Sequence, residues 1–147
     1  MSNSPFSTSA NSSAGLLLWQ ATTTWQKEIA HALSGSDITH AQFVIIAITL
    51  YLIETEGEAT QASIIRMSRL DKMTVSTGLR KLESLKLIER YAHHEDTRIY
   101  NIRLTNKGVT LGRKLVRSVE AVDKEFFGAL TKAEQKILLQ LLSRLAS

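Results

Sequence analysis

Asp71-Lys-Met-Thr-Val-Ser-Thr-Gly-Leu-Arg-Lys-Leu-Glu-Ser-Leu85, followed by Leu87-Ile-Glu-Arg-Tyr91 and, after a polar interval, by Tyr100-Asn-Ile-Arg-Leu104, decides the fold. In the first segment Val75, Leu79, Leu82 and Leu85 recur at helical spacing, and Asp71 stands where it can cap the first turn. At about 100° per residue the opposite face carries Met73, Thr77, Arg80, Lys81 and Ser84, flanked by Thr74 and Ser76. One face is core, and hydroxyls and cations occupy the other, where the base edges and phosphates of a nucleic acid would lie.

After Leu87 the period changes to two. Tyr100, Ile102 and Leu104 alternate with Asn101 and Arg103, and Ile88 to Tyr91 supplies a partner strand, so the spacing predicts a hairpin. Its tip, Ala92-His-His-Glu-Asp-Thr-Arg98, is too polar for a core and too long for a two-residue turn, and is expected to project as a mobile wing. Upstream, Thr60 to Ser68 reads as a short helix capped by Thr60, with Ala62, Ile64, Ile65 and Met67 as packing residues. Two short helices joined by Arg69-Leu70, with a hairpin behind them, make a winged helix-turn-helix unit.

Asp96, Arg98, Ile102, Leu104, Thr105 and Gly108 fit, at every specified position, the D-x-R-x-x-x-V/I-x-L-T-x-x-G signature of the MarR family of bacterial transcription regulators. Leu70 to Ser76, Leu82-Glu83 and Leu87 to Arg90 resemble the same family's recognition helix and wing entry. By order of elements the resemblance covers roughly Ile38 to Leu145; its specific part is the Thr60 to Gly108 core. It implies a homodimer that binds a palindromic operator in double-stranded DNA, most often as a repressor. Arg98 would then enter the minor groove while Asp96 holds its guanidinium through a bidentate pair; the planar fork of arginine suits that pairing and a narrow, negative groove. Thr74, Ser76, Thr77, Arg80 and Lys81 would meet the major groove; His93 is expected to contact a phosphate or simply to face solvent. Members commonly carry a basic residue where this chain has Thr77 and an apolar one where it has Gly78. Base readout is therefore expected to rest on Arg80 or Lys81 more than usual, and Gly78 marks either a close backbone approach or drift.

Outward from this core, the composition is that of one domain. The chain has 147 residues and a net charge of +4, enough for a core but short for two independent domains. Residues 1–65 hold one cation against five acids, whereas residues 66–103 hold nine against five, so basic charge begins where the motif begins. That distribution suits a polyanion-binding surface and also an ordinary solvated face. Cysteine is absent, which excludes disulfides, thiolate metal sites and thiol-based peroxide sensing.

Met1 to Ser13, rich in Ser, Asn and Thr, is expected to be a disordered tail. The apolar run Leu16 to Trp19 is too short for a signal core or a membrane span, so a cytoplasmic protein is expected. A helix follows over Ala14 to Leu33, with Leu18, Thr22, Trp25, Ile29 and Leu33 on one face. Thr39-His-Ala-Gln42 is a capping box opening a helix to about Glu54, apolar all round and so expected to be buried all round. Thr105 is expected to cap a long helix to about Phe127, and Thr131-Lys-Ala-Glu134 opens a last one whose Ile137, Leu138, Leu141, Leu142 and Leu145 form a wide apolar face. The terminal helices carry more apolar surface than their own fold can cover, as pairing with a second subunit requires. The expected organisation is a mainly α domain over 14–147, with a winged-helix lobe over 38–104 and dimerisation helices over 14–34 and 105–147.

Other chemistries find little support. His93-His94 beside Glu95-Asp96 invites a metal, but adjacent histidines on a flexible tip converge poorly on one ion, and no metal or cofactor is expected. No nucleophile with its base, paired carboxylates or glycine-rich phosphate loop is visible, so no enzyme is expected. The resemblance also implies a crevice for a small aromatic effector, which Trp19, Trp25, Phe43 and Tyr51 could line; the same residues fit better as core aromatics at helical spacing. The rival function is a winged helix that docks another protein. The hydroxyls and cations of the exposed helix face argue against it, since a protein interface favours aromatic anchors.

Overall fold

The structure is a computed structural model that describes Pro5, Ser7 and residues 9–147. The remaining positions of the expected tail lie outside the described residues; within them, Ala10–Ser12 form a single 3-10 turn. The elements then run α1 (Ala14–Leu33), α2 (His40–Glu56), β1 (Ala59–Thr60), α3 (Gln61–Ser68), α4 (Lys72–Ser84), β2 (Ile88–Ala92), β3 (Tyr100–Leu104), α5 (Asn106–Phe127) and α6 (Lys132–Ala146). The chain is a mainly α winged helix-turn-helix. It divides into two compact units, one of Leu33–Ser118 and one of the residues up to Ala32 together with Val119–Ser147, so the division falls inside α5.

The unit Leu33–Ser118 is built on α2. Ile45 and Ile46 of α2, Ile64 of α3, Val75, Leu79 and Leu82 of α4, and Ile88 and Ile102 of the hairpin are each exposed by 1% or less. Local chemistry sets the helix ends. Thr39 and Gln42 cap α2 reciprocally, Thr60 and Ser63 do the same for α3, and Asp71 Oδ1 accepts the Thr74 N–H at 2.7 Å. Gly57, at φ +83°, ends α2 in the left-handed conformation open to glycine without a steric penalty. The buried Thr49 hydroxyl donates to the Ile45 carbonyl at 2.6 Å, which satisfies it inside its own helix.

The wing has one strand more than the expected pair. β3 lies between β2 and β1 in an antiparallel sheet, with Ile88 opposite Leu104, Tyr91 opposite Asn101, and Ala59 opposite Ile102. A two-residue strand carries no readable period, which is why β1 escapes sequence reading. α4 ends in a Schellman closure: Lys86, at φ +63°, donates to Glu83, and the Leu87 N–H reaches the Leu82 carbonyl at 3.0 Å. The next turn explains the T-x-x-G of the signature. Thr105 Oγ1 donates to the Lys86 carbonyl at 2.7 Å and accepts the Gly108 N–H at 3.0 Å, while the Thr105 N–H donates to the Leu87 carbonyl. A Cβ on Gly108 would stand 2.0 Å from that same Leu87 oxygen. One threonine thus caps α5 and clips it to the turn that leads into β2, and only glycine fits beneath the clip.

Some packing expectations need correction. Ala62 and Met67 of α3 are exposed, leaving Ile64 as its one buried residue. α2 is not buried all round, since Tyr51 is more than half exposed. The eight-residue α3 turns only Ile64 fully inward, whereas α2 buries Phe43, Ile45, Ile46, Thr49, Leu50 and Leu52 and leaves the side that carries Tyr51 open.

In the other unit Trp25 Nε1 donates to Asp123 Oδ1 at 2.7 Å, and Phe126 meets Phe127 edge-on. Thr131 and Glu134 form the anticipated capping box. Leu18, expected on the inward face of α1, is exposed together with Leu17 and Trp19. α6 has no buried residue, and its Ile137, Leu139, Leu141, Leu142 and Leu145 are all exposed.

Candidate nucleic-acid interface

The buried stripe of α4 leaves Met73, Thr77, Arg80, Lys81 and Ser84 exposed, with Thr74 and Ser76 half-buried at the flanks. These side chains are partly organised already. Thr74 donates its hydroxyl to Asp71 Oδ2 at 2.9 Å, and Thr77 Oγ1 accepts from Arg80 Nη2 at 3.3 Å, so Arg80 leans along its own helix. Lys81 Nζ lies 3.9 Å from Asp37. The carboxyl of Asp71 is held below its ordinary range, first by the Thr74 N–H and then by the Thr74 hydroxyl. It therefore stays an anion at the positive end of the helix dipole.

Gly78 is a close approach. A Cβ there would lie 2.6 Å from Ile45 Cδ1, so the missing side chain is what lets α4 settle on α2. Beside it, Thr39, Ala41 and Gln42 of the α2 start and Met73, Thr74 and Thr77 of α4 line a cleft of about 260 Å³.

At the wing, Arg98 donates Nε to Asp96 Oδ1 at 3.0 Å and Nη2 to Oδ2 at 3.1 Å, and the Arg98 N–H adds a third bond to the same carboxylate. The Arg98 side chain is nevertheless 88% exposed. Asp96 is held below the usual carboxylate range, chiefly by the guanidinium and then by the Arg98 N–H, and Arg98 is raised in turn. The pair orients a cation without burying it. His93 is placed differently: its side chain is only 15% exposed, with Nε2 at 4.0 Å from Glu58, Nδ1 accepting the Glu95 N–H, and its ring stacked on His94. Among the described residues no group of three His, Cys, Asp or Glu side chains converges as a metal site, and no helix is long and apolar enough to cross a membrane.

The structure also assembles residues that periodicity does not single out. Gln61, Lys72, Ser76, Arg90, Arg98 and Tyr100 share a cleft of about 450 Å³ between α3, α4 and the wing. Arg90 reaches Glu83 at 3.3 Å with its guanidinium 6.0 Å from the Tyr100 ring centre. Alternation marks Arg90 as a strand residue; only the return of β3 places it beside Lys72 and Arg98. Of the four aromatics named for an effector, Phe43 is buried, Trp25 is half-buried with its indole N–H on Asp123, and Trp19 and Tyr51 are exposed.

Residues 35–123 match the model of the ArnR1-like winged-helix domain family. A helix-turn-helix transcriptional regulator of Bacillus subtilis, YdcH, is 37% identical over 84% of this chain and 84% of its own length. The Mycobacterium tuberculosis transcriptional repressor Rv2887 is 27% identical over 90% of this chain and 93% of its own. Among solved structures, Bordetella bronchiseptica BpsR, described for the regulation of its DNA binding by 6-hydroxynicotinic acid, superposes with a TM-score of 0.85 at 23% identity, covering 98% of this chain and 99% of that one. The helix-turn-helix and wing agree with these matches: the chain belongs to the ArnR1-like winged-helix family and is a winged helix-turn-helix transcriptional regulator of the MarR family.

Proposed function

We propose that this regulator is a homodimeric repressor of a two-fold symmetric operator and that a small aromatic effector releases it. The observation that carries the reading is the pairing of an outward polar face on α4 with a solvent-exposed Arg98 pinned by Asp96. α4 lies in the major groove, where Arg80 and Lys81 meet guanine edges or phosphates with Thr74, Ser76 and Thr77 around them. Arg98 enters the adjacent minor groove, and His93, mostly covered, serves the wing more than the phosphates. The lobe over 38–104 reads DNA, and the helices over 14–34 and 105–147 form the dimer, which covers the exposed leucines of α6. Half-sites then stand about one helical turn, ~34 to 36 Å, apart. Repression is supported by the mycobacterial relative, and effector release by BpsR.

Selection of genomic fragments by the purified protein tests this, with sedimentation to establish the oligomer. Enrichment of a palindrome by a dimer is the expected result. A monomer, or no enrichment at any salt concentration, overturns the reading and favours a protein-docking winged helix.

A further inference from the structure

We infer that Met73 is a specificity-determining residue that packs on the 5-methyl group of a thymine in the operator's major groove. The inference rests on the DNA reading proposed above. Met73 is the second residue of α4 and is 72% exposed, whereas Val75, Leu79 and Leu82 of the same helix are wholly buried. It therefore contributes little to the core. Its neighbours on the outward side are Thr77, one turn on, and Arg80, which is tied back to Thr77 at 3.3 Å. Among side chains suited to phosphates and polar base edges, it alone is apolar.

A thioether has no charge and no N–H or O–H to offer, and its sulfur accepts only weakly, so it is poorly matched to a phosphate or a polar base edge. The one apolar feature of the major groove is the C5 methyl of thymine. Residues at the start of a recognition helix are those that reach base edges, and Met73 occupies that position. Its unbranched chain lies beside the cleft lined by Thr39, Gln42 and Thr77, which gives the thioether room to follow a methyl group.

The experiment uses the full chain and a duplex selected by it from a random library. Each thymine of the half-site is replaced in turn by deoxyuridine, which removes only the methyl group, and binding is measured for wild type, Met73→Ala and Met73→Leu. At one position, replacement in a single half-site should weaken wild-type binding about fourfold, the ratio equivalent to ~0.8 kcal/mol for one buried methyl-sized group. Met73→Ala should bind the two duplexes equally at that position, and Met73→Leu should keep the preference. A half-site without such a thymine, or a Met73→Ala ratio equal to wild type at every thymine, overturns the inference while leaving the DNA reading intact. Failure to select any duplex overturns the DNA reading and this inference with it.

Discussion

Gly78 of α4 faces Ile45 of α2 so closely that an added Cβ would lie 2.6 Å from Ile45 Cδ1. A mid-helix glycine costs roughly 1 kcal/mol relative to alanine, yet here it sets how near the recognition helix comes to the helix beneath it. Ile45 is wholly buried, so its terminal methyl cannot swing into solvent.

Two opposing effects meet in Gly78→Ala. Better helix propensity gains roughly 1 kcal/mol, and overpacking costs roughly 1–3 kcal/mol, so a small net loss is expected. Ile45→Val removes the offending methyl and alone costs roughly 0.5–1.5 kcal/mol. Together the two should destabilise by about 1 kcal/mol less than their sum. Urea unfolding of the four proteins measures this, and simple additivity would show that the contact is not what demands glycine.

The Thr105–Gly108 clip should be far less forgiving. The atom in the way of a Gly108 side chain is the Leu87 backbone oxygen, at 2.0 Å from the added Cβ, and backbone cannot rotate aside. Gly108→Ala is expected to cost roughly 3 kcal/mol or more, and Thr105→Val roughly 1–2 kcal/mol through loss of the cap and of the bond to Lys86. Thermal melts of both variants check the order. A Gly108→Ala protein as stable as wild type would mean that α5 starts elsewhere.

The Asp96–Arg98 pair makes a statement about pH. Asp96 is depressed in the folded protein, mainly by the guanidinium, so the pair is fully present above the ordinary carboxylate range and is lost only as pH falls through the lowered value. From about pH 5 to 8 its ionisation should therefore not change. Carboxyl NMR titration should place the Asp96 midpoint below those of exposed carboxylates, and Arg98→Ala should raise it, though not fully, because the backbone N–H at position 98 still donates to the carboxylate. In binding assays Arg98→Ala should weaken all DNA and lower the salt slope by about 1; an unchanged slope would remove Arg98 from the groove.

Trp25 and Asp123 join residues far apart in sequence through one 2.7 Å bond. Trp25→Phe should cost roughly 1–3 kcal/mol, because the partly buried carboxylate loses a charge-assisted donor. Guanidinium unfolding gives the number. A loss no larger than that of Trp19→Phe, whose ring is exposed, would make the bond incidental.

Much of this architecture is written in local pattern. The step from period 3.6 to period two between Leu85 and Tyr100 is set by side-chain order, and the caps Thr39, Thr60, Asp71 and Thr131 act within one turn of their own residues. Interactions of such short range need no fold to be recognised. Tertiary structure alone decided that Ala59–Thr60 joins the sheet, that Ala62 and Met67 stay in solvent, and that Gly78 and Gly108 are demanded by atoms of Ile45 and Leu87. It also brought Lys72, Arg90 and Arg98 to one cleft and covered His93 beside Glu58. Each of these depends on contacts between residues distant in sequence. Side-chain periodicity says which face of an element turns inward, but not what it will meet there.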